Sequence, residues 1–189
     1  MRILLITGLL LGLFGFGNTQ AQPNKNMTTK KKILVGQRFP DFAVQEWLGK
    51  KPKLKGKFVL IDFWCIMAYP VTHRTVPYQN YLAKKYKKHL QVVGFSSDET
   101  NLVKLMVEPD IHYHRGIVDQ AIIEDIFNIQ AWPTTYLIDP DGIIVWKGHV
   151  LKEGIGEKNT FNLTEDMLEN FFNKYQKKKE TKKSNTKKS

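Results

Sequence analysis

The chain has 189 residues, 42% of them hydrophobic and 25% charged, which allows one sizeable core and is typical of a globular protein. Its single cysteine excludes an intramolecular disulfide framework and a cysteine-based zinc cluster. The net charge of +11 comes from residues 1–32, with five basic residues and no acid, and residues 174–189, with eight lysines and one glutamate. Because this excess lies at the two ends of the chain and not on a folded face, the sequence argues against nucleic-acid binding.

The first 21 residues have the three parts of a secretory signal peptide: Arg2, the apolar run Ile3–Phe16, and small residues up to Ala21. The run is short for a membrane span, so we predict cleavage after Ala21 and a mature chain from Gln22. An uncleaved anchor is the alternative. Both interpretations, the cleaved signal peptide and the uncleaved anchor, predict an exported, periplasmic or otherwise extracytoplasmic domain. This domain follows a polar linker at residues 22–32.

Strands and helices alternate from residue 33 onward. The apolar run Phe58–Trp64 predicts a central strand buried on both faces. Further strands are predicted at 91–95, 134–138 and 143–150, and helices at 74–90, 101–107, 121–127 and 164–175. Thr164 is the candidate N-cap of the last helix, whose expected buried stripe consists of Met167, Leu168, Phe171 and Phe172. This order indicates a three-layer α/β domain at 33–175, followed by a disordered lysine-rich tail at 176–189.

Three separated blocks of the sequence carry a resemblance to a known family. They are Gly36–Phe42, Lys55–Trp64 and Trp132–Gly142. In this order they resemble exported thioredoxin-like proteins of the TlpA/ResA type over residues 33–175. The resemblance implies a thioredoxin-like fold, with a central mixed β-sheet flanked by helices. It also implies a Cys-x-x-Cys redox centre at the start of the helix that follows the Phe-Trp strand.

The sequence departs from the family at that redox centre. Counting back from Pro77 places the two cysteine positions at Tyr69 and Thr72, with Pro70 between them, whereas counting forward from Trp64 places them at Ala68 and Val71. Neither count finds a thiol. A phenol and a hydroxyl cannot store two electrons as a disulfide, so dithiol exchange through this motif is excluded. A peroxidatic cysteine, which would lie at the same helix start, is absent as well.

Two side chains that precede the helix, Cys65 and Asp62, remain candidate catalytic groups. Cys65 is the sole thiol; we interpret it as a buried structural cysteine, and the alternatives are a mixed disulfide with a partner or an intermolecular disulfide dimer. Asp62 matches the buried acid beneath the family's dithiol. Without thiols above it, it is expected to be a buried carboxylate satisfied by hydrogen bonds, with a pKa raised by burial.

The dipeptide Trp132-Pro133 resembles the family's cis-proline loop, whose preceding residue offers backbone groups to a bound peptide. Strand addition of an extended peptide needs no thiol. The candidate binding residues are therefore Tyr69, Pro70, Trp132, Pro133 and Thr134.

Soft-metal ligation is a weaker alternative. Cys65, Met67 and His73 suggest a Cu(I) site, and His112 and His114 offer two imidazoles on one face of an extended segment. No ligand spacing here is diagnostic, so we predict neither a metal nor another cofactor.

The sequence therefore leads to three functional hypotheses. The first is a non-catalytic module that binds a protein or peptide partner in the cell envelope. The second is a thiol-disulfide oxidoreductase that acts through Cys65 alone, and the third is a Cu(I) carrier. We interpret the lysine-rich tail as a solvated, disordered extension; the alternative is weak, salt-sensitive attraction to anionic envelope surfaces or to an acidic partner.

Overall fold

The computed structural model describes residues 33–150 and 162–186, and a mixed six-stranded sheet forms its centre. The predicted signal peptide and linker lie outside the described residues. The strands are β1 Glu46–Trp47, β2 Phe58–Phe63, β3 Leu90–Ser96, β4 His114–Ile117, β5 Thr134–Ile138 and β6 Ile144–Gly148. Their order across the sheet is β1-β4-β3-β2-β5-β6; β2, β3 and β4 are parallel, and the remaining pairs are antiparallel. This is the α/β architecture that the sequence predicts.

Three α-helices pack on one face of the sheet. They are α1 Tyr69–Lys85, α2 Thr100–Leu105 and α3 Glu165–Thr186, and a short 3-10 turn, Ile66–Ala68, precedes α1. Each contributes buried side chains to one apolar cluster, among them Val76, Val103 and Leu168, which contains Phe58 and Leu60 of β2 as well. In the described part of the chain, no helix is both long enough and apolar enough to span a membrane.

Aromatic side chains fill the opposite face of the sheet. Phe63 of β2 lies 4.5 Å from Phe127 between ring centroids, and Phe42 lies 5.1 Å from Phe95. This layer consists of the irregular segment 33–45, Trp47 of β1 and a π-helical turn, Ile122–Ile126, where the sequence predicts an ordinary short helix. Because β2 contributes alternate residues to the two clusters, its whole length is buried, as predicted.

Several boundaries differ from the sequence prediction. Helix α1 begins at Tyr69, five residues before the predicted start, because Pro70 occupies its first turn, where no intrahelical N–H bond is lost. The N-cap of α3 forms as expected, since the Met167 N–H donates to Thr164 Oγ1 at 3.2 Å. However, α3 does not end at Tyr175: residues 176–186 are helical instead of disordered, because seven of these eleven residues are Lys, Gln or Glu, which are good helix formers, and none is Gly or Pro.

Candidate functional site

The candidate site lies at the edge of the sheet where β2 and β3 end and β5 begins. Phe63, the last residue of β2, is paired with Phe95 of β3 and with Thr134 of β5. Because β2 and β3 are parallel and β5 runs the opposite way, the chain after Phe63 and the chain before Thr134 meet at this edge. The topology thus brings the start of α1 to the Trp132-Pro133 loop.

The start of α1 presents one candidate side chain and buries the other. The Tyr69 side chain is 50% exposed, whereas Thr72 is 2% exposed, and the Thr72 hydroxyl donates a 3.0 Å hydrogen bond to the Ala68 carbonyl oxygen. A dithiol site needs an accessible attacking position and a shielded resolving position. The other spacing does not provide this contrast, since Val71 is 39% exposed. Tyr69 and Thr72 therefore show the contrast in exposure that such a pair of positions needs.

Cys65 lies at the start of the 3-10 turn and carries a free thiol that is half-buried, whereas the sequence predicts a fully buried one. Burial, together with the nearby Asp98 carboxylate, raises the pKa of the Cys65 thiol above its usual value. The backbone N–H groups of Ala68 and Met67 act in the opposite direction but do not reverse the shift. A raised pKa leaves little thiolate at neutral pH, and the thiolate is the nucleophile. The environment of Cys65 therefore does not favour thiol chemistry.

A carboxylate that the sequence analysis missed fixes the loop between β2 and α1. Asp98 Oδ2 accepts a 2.8 Å hydrogen bond from the Ile66 backbone N–H and a 2.6 Å hydrogen bond from the hydroxyl of Ser96. The Asp98 N–H donates in turn to Ser96 Oγ at 3.0 Å. Thirty-two residues separate Asp98 from Ile66, so no local sequence pattern could have revealed the contact.

Asp62 lies beneath α1 in a fully buried position, as predicted, but its carboxylate is only half satisfied. Oδ1 accepts a 2.6 Å hydrogen bond from the Thr135 hydroxyl, whereas Oδ2 has no hydrogen-bond partner among the described residues. The Gln79 amide faces the same carboxylate without a well-directed hydrogen bond. Burial raises the pKa of Asp62 to about 6, although the Thr135 hydroxyl and the Gln79 amide lower it in part.

Two more buried polar groups gather around this acid. The indole of Trp64 and the ring of Tyr113 cover Gly94, where an added Cβ would lie 2.9 Å from Trp64 Nε1 and 3.0 Å from Tyr113 Cε2. Gly94 is paired with Asp62 in the β2–β3 register. Neither Trp64 Nε1 nor the Tyr113 hydroxyl has a hydrogen-bond partner among the described residues. A buried polar cluster therefore lies below the helix start, and residue 94 must be Gly to leave room for it.

The loop before β5 borders the site. The Trp132–Pro133 peptide bond is cis, Pro133 is buried, and Trp132 packs partly into the aromatic layer on the other side of the sheet. The Thr134 hydroxyl donates a 2.7 Å hydrogen bond to the Ala131 carbonyl oxygen, which closes the turn. These contacts give the loop a defined shape beside the end of β2.

The candidate metal ligands have separate surroundings. His73 is exposed, with its ring 5.4 Å from that of Tyr69, and His112 Nε2 lies 2.6 Å from Asp110 Oδ2. His114 Nδ1 instead contacts the Lys50 carbonyl oxygen at 2.9 Å. Within residues 33–150 and 162–186, no three His, Cys, Asp or Glu side chains are grouped as metal ligands. The structure offers the Cu(I) hypothesis no support.

Comparison with known proteins agrees with this geometry. The AhpC/TSA family profile matches residues 35–147. The thiol-disulfide oxidoreductase ResA of Bacillus thuringiensis subsp. konkukian is 32% identical over 157 residues, covering 79% of this chain and 88% of the relative. The thioredoxin-like protein YneN of Bacillus subtilis is 32% identical over 149 residues, or 75% and 84% of the two chains. The thioredoxin domain of a thiol-disulfide oxidoreductase from Bacteroides vulgatus superimposes with a TM-score of 0.53 at 24% identity, covering 76% of this chain and 99% of that domain.

Proposed function

We propose that this chain, which belongs to the AhpC/TSA family and is a relative of the ResA thiol-disulfide oxidoreductases, binds an extended polypeptide without exchanging a disulfide. The observation that carries the proposal is the start of α1. There an exposed phenol, Tyr69, and a buried hydroxyl, Thr72, occupy the positions where the resemblance implies two thiols. In this proposal the exposed surface at the helix start binds the ligand, and no thiol stands at either position to react with it.

The exposed side chains at the helix start suit a polypeptide ligand. Met67 is 88% exposed, Tyr69 is 50% exposed and Val71 is 39% exposed, which forms an apolar patch on the 3-10 turn and the first turn of α1. Tyrosine is enriched among the residues that dominate binding energies, because it buries a large amphipathic ring at a small entropic cost. The neighbouring loop before β5 supplies backbone N–H and C=O groups for pairing with an extended strand.

A single substitution tests the binding proposal. We expect Tyr69→Ala to weaken binding of the carboxamidomethylated B chain of insulin, a thiol-free extended polypeptide, by about tenfold, the loss typical of a central tyrosine. Fluorescence anisotropy of the labelled peptide measures the affinity. Tyr81→Ala is the matched control, because Tyr81 is 44% exposed on the same helix but lies near α3, where its hydroxyl donates to Glu165.

Two results would overturn the proposal. One is equal affinity of the Tyr69→Ala and Tyr81→Ala proteins for the peptide. The other is reduction of insulin disulfides by the wild type under dithiothreitol recycling, with loss of that activity in the Cys65→Ala protein. The second result would show an oxidoreductase that works through one cysteine, despite the raised pKa of that thiol.

The proposal includes export of the domain from the cytoplasm. It is supported by Arg2, the apolar run Ile3–Phe16 and the small residue Ala21, in the order of a signal peptide. We expect protein recovered from the extracytoplasmic fraction to begin near Gln22, as N-terminal sequencing would measure. Recovery of the chain in the cytoplasm with its first 21 residues intact would contradict export.

A further inference from the structure

Three lysine-rich segments that are far apart in the sequence meet at the end of the domain opposite the candidate site. Residues 50–57 contain five lysines and no acidic residue, residues 84–88 contain four lysines and no acidic residue, and residues 174–186 contain six lysines and one glutamate. The near-neutral total charge of the middle of the chain conceals the first two segments, because its acidic residues lie at other positions in the sequence. We call the surface that these segments form the lysine face.

Direct contacts hold the three segments together. Lys57 Nζ donates a 2.6 Å hydrogen bond to the Lys87 carbonyl oxygen, and the Phe58 N–H donates to the His89 carbonyl oxygen at 2.9 Å. Lys55, His89 and Lys179 line one cavity of about 220 Å³. Phe58, Phe172 and Tyr175 line the same cavity, and the Phe58 and Phe172 ring centroids are 4.9 Å apart. The third segment is thus anchored to the other two through aromatic packing.

Helix α3 extends the lysine face beyond the domain. After Tyr175 all side chains up to Thr186 are exposed, a stretch of eleven residues or about 16 Å of helix. Because side chains three and four positions apart share a helix face, the packed stripe of Leu168, Phe172 and Tyr175 is continued along the same side. The residues that continue it are Lys178, Lys179, Lys182 and Lys183.

Few carboxylates neutralise this surface. Among the described residues, Lys85 and Lys178 are the only lysines of the three segments within 4 Å of a carboxylate, Lys85 next to Glu165 and Lys178 3.9 Å from Asp141. Lys57 donates to the Lys87 carbonyl oxygen, and the remaining ammonium groups of the three segments have no carboxylate within 4 Å in the described part of the chain. Residues 176–186 include no apolar side chain, and none of the three segments contains arginine. Surfaces that recognise a specific protein or nucleic acid use apolar anchor residues and bidentate arginine contacts. Because the lysine face lacks arginine, it suits a partner that is anionic, broad and chemically uniform.

We infer that the lysine face docks the domain onto the surface of an anionic lipid bilayer. Clustered lysines are attracted to acidic headgroups without inserting side chains, and each lysine near the surface adds a similar increment of binding. Lys55 and His89 lie at the starts of β2 and β3, whereas Cys65 and the helix start lie at the ends of these strands. Docking through the lysine face therefore turns the candidate peptide site away from the membrane.

Vesicle cosedimentation tests this inference. Every described element lies between residues 33 and 186, so a chain that begins at Gln22 retains the whole fold and lacks the apolar N-terminal run. We expect this chain to bind vesicles of phosphatidylglycerol and phosphatidylcholine in 0.1 M salt, to bind pure phosphatidylcholine poorly, and to dissociate as the salt concentration rises. In Lys182→Gln/Lys183→Gln, affinity for the anionic vesicles should fall roughly twenty-fivefold, about fivefold for each lysine removed.

The matched control removes the same charge elsewhere. Arg74→Gln/Lys104→Gln changes residues near the candidate site and in α2, and it should leave vesicle binding within about twofold of the parent. Glu180→Gln, which removes the one acidic residue of the third segment, should strengthen binding. Equal losses in the two double variants, binding that is insensitive to salt, or binding to polyglutamate or DNA without binding to anionic vesicles would each overturn the inference.

Discussion

Replacing Tyr69 and Thr72 with cysteines is expected to convert this protein into a dithiol reductase. In a Cys65→Ser background, the Tyr69→Cys/Thr72→Cys protein should reduce insulin under dithiothreitol recycling, while the Cys65→Ser parent stays at the blank rate. The reason is geometric: position 69 is half exposed at the first turn of α1, and position 72 is 2% exposed one turn later. A helix N-terminus stabilises a thiolate, and cysteines at such sites have a pKa of about 3.5 to 7.5.

The alternative spacing supplies the control for this experiment. Ala68→Cys/Val71→Cys in the same background also places two thiols three residues apart, but it leaves the second thiol on an exposed position. We expect it to be the slower reductase. If Ala68→Cys/Val71→Cys turns over and Tyr69→Cys/Thr72→Cys does not, the assignment of positions 69 and 72 is wrong.

Replacing Asp62 with asparagine is expected to stabilise the protein at neutral pH. The pKa of Asp62 is raised to about 6 in the folded state, chiefly by burial, so the folded state holds this proton more tightly than the unfolded chain does. The wild type therefore loses stability as the pH rises from about 4 to about 6, and the loss levels off above that range. The full difference amounts to about 3 kcal/mol, and Asp62→Asn, which carries no charge, should recover up to that amount at pH 7.5.

Urea unfolding at two pH values measures the effect. The stability advantage of Asp62→Asn should fall below about 1 kcal/mol at pH 4, where the wild-type carboxyl is protonated in the folded state. Asp139→Asn is the contrasting control, because Asp139 Oδ1 accepts 2.9 Å hydrogen bonds from the Asp141 and Ile143 N–H groups. It should destabilise the protein by about 1 kcal/mol. An Asp62→Asn protein that is less stable than the wild type at pH 7.5 would mean that the buried charge is stabilising.

The central strands and the approximate position of the site could be predicted from the sequence because the signal there is local. The run that forms β2 is apolar over its whole length, and β5 begins directly after a Trp-Pro pair and ends before a Pro-Asp-Gly turn. Strand β4, with the sequence HRGI, carries no such signal; it forms because it pairs with β3 between Val93 and Ser96. The two-residue strand β1 exists only as a partner of β4.

The chemistry of the site could be predicted only where one residue determines it. Asp62 was predicted as a buried acid with a raised pKa, but the polar groups around it come from α1 and from the chain before β4, and these meet only in the folded protein. The lysine face was not predicted for the same reason, since a sum of charges along the chain does not show which lysines lie together in the folded domain. Exposure of Cys65 depends on the 3-10 turn that follows it, which the sequence pattern did not predict.

The hydrogen bond from the Ile66 N–H to the Asp98 carboxylate holds the loop before α1 by a contact that does not depend on the redox potential. A carboxylate, not a covalent bond, holds the loop before α1, and the chain has a single cysteine. No internal disulfide can form or break as the redox potential changes, so no such bond can alter the proposed peptide site between oxidising and reducing conditions. A site built on a dithiol alternates between two covalent forms, whereas the loop of this chain keeps one set of internal covalent bonds.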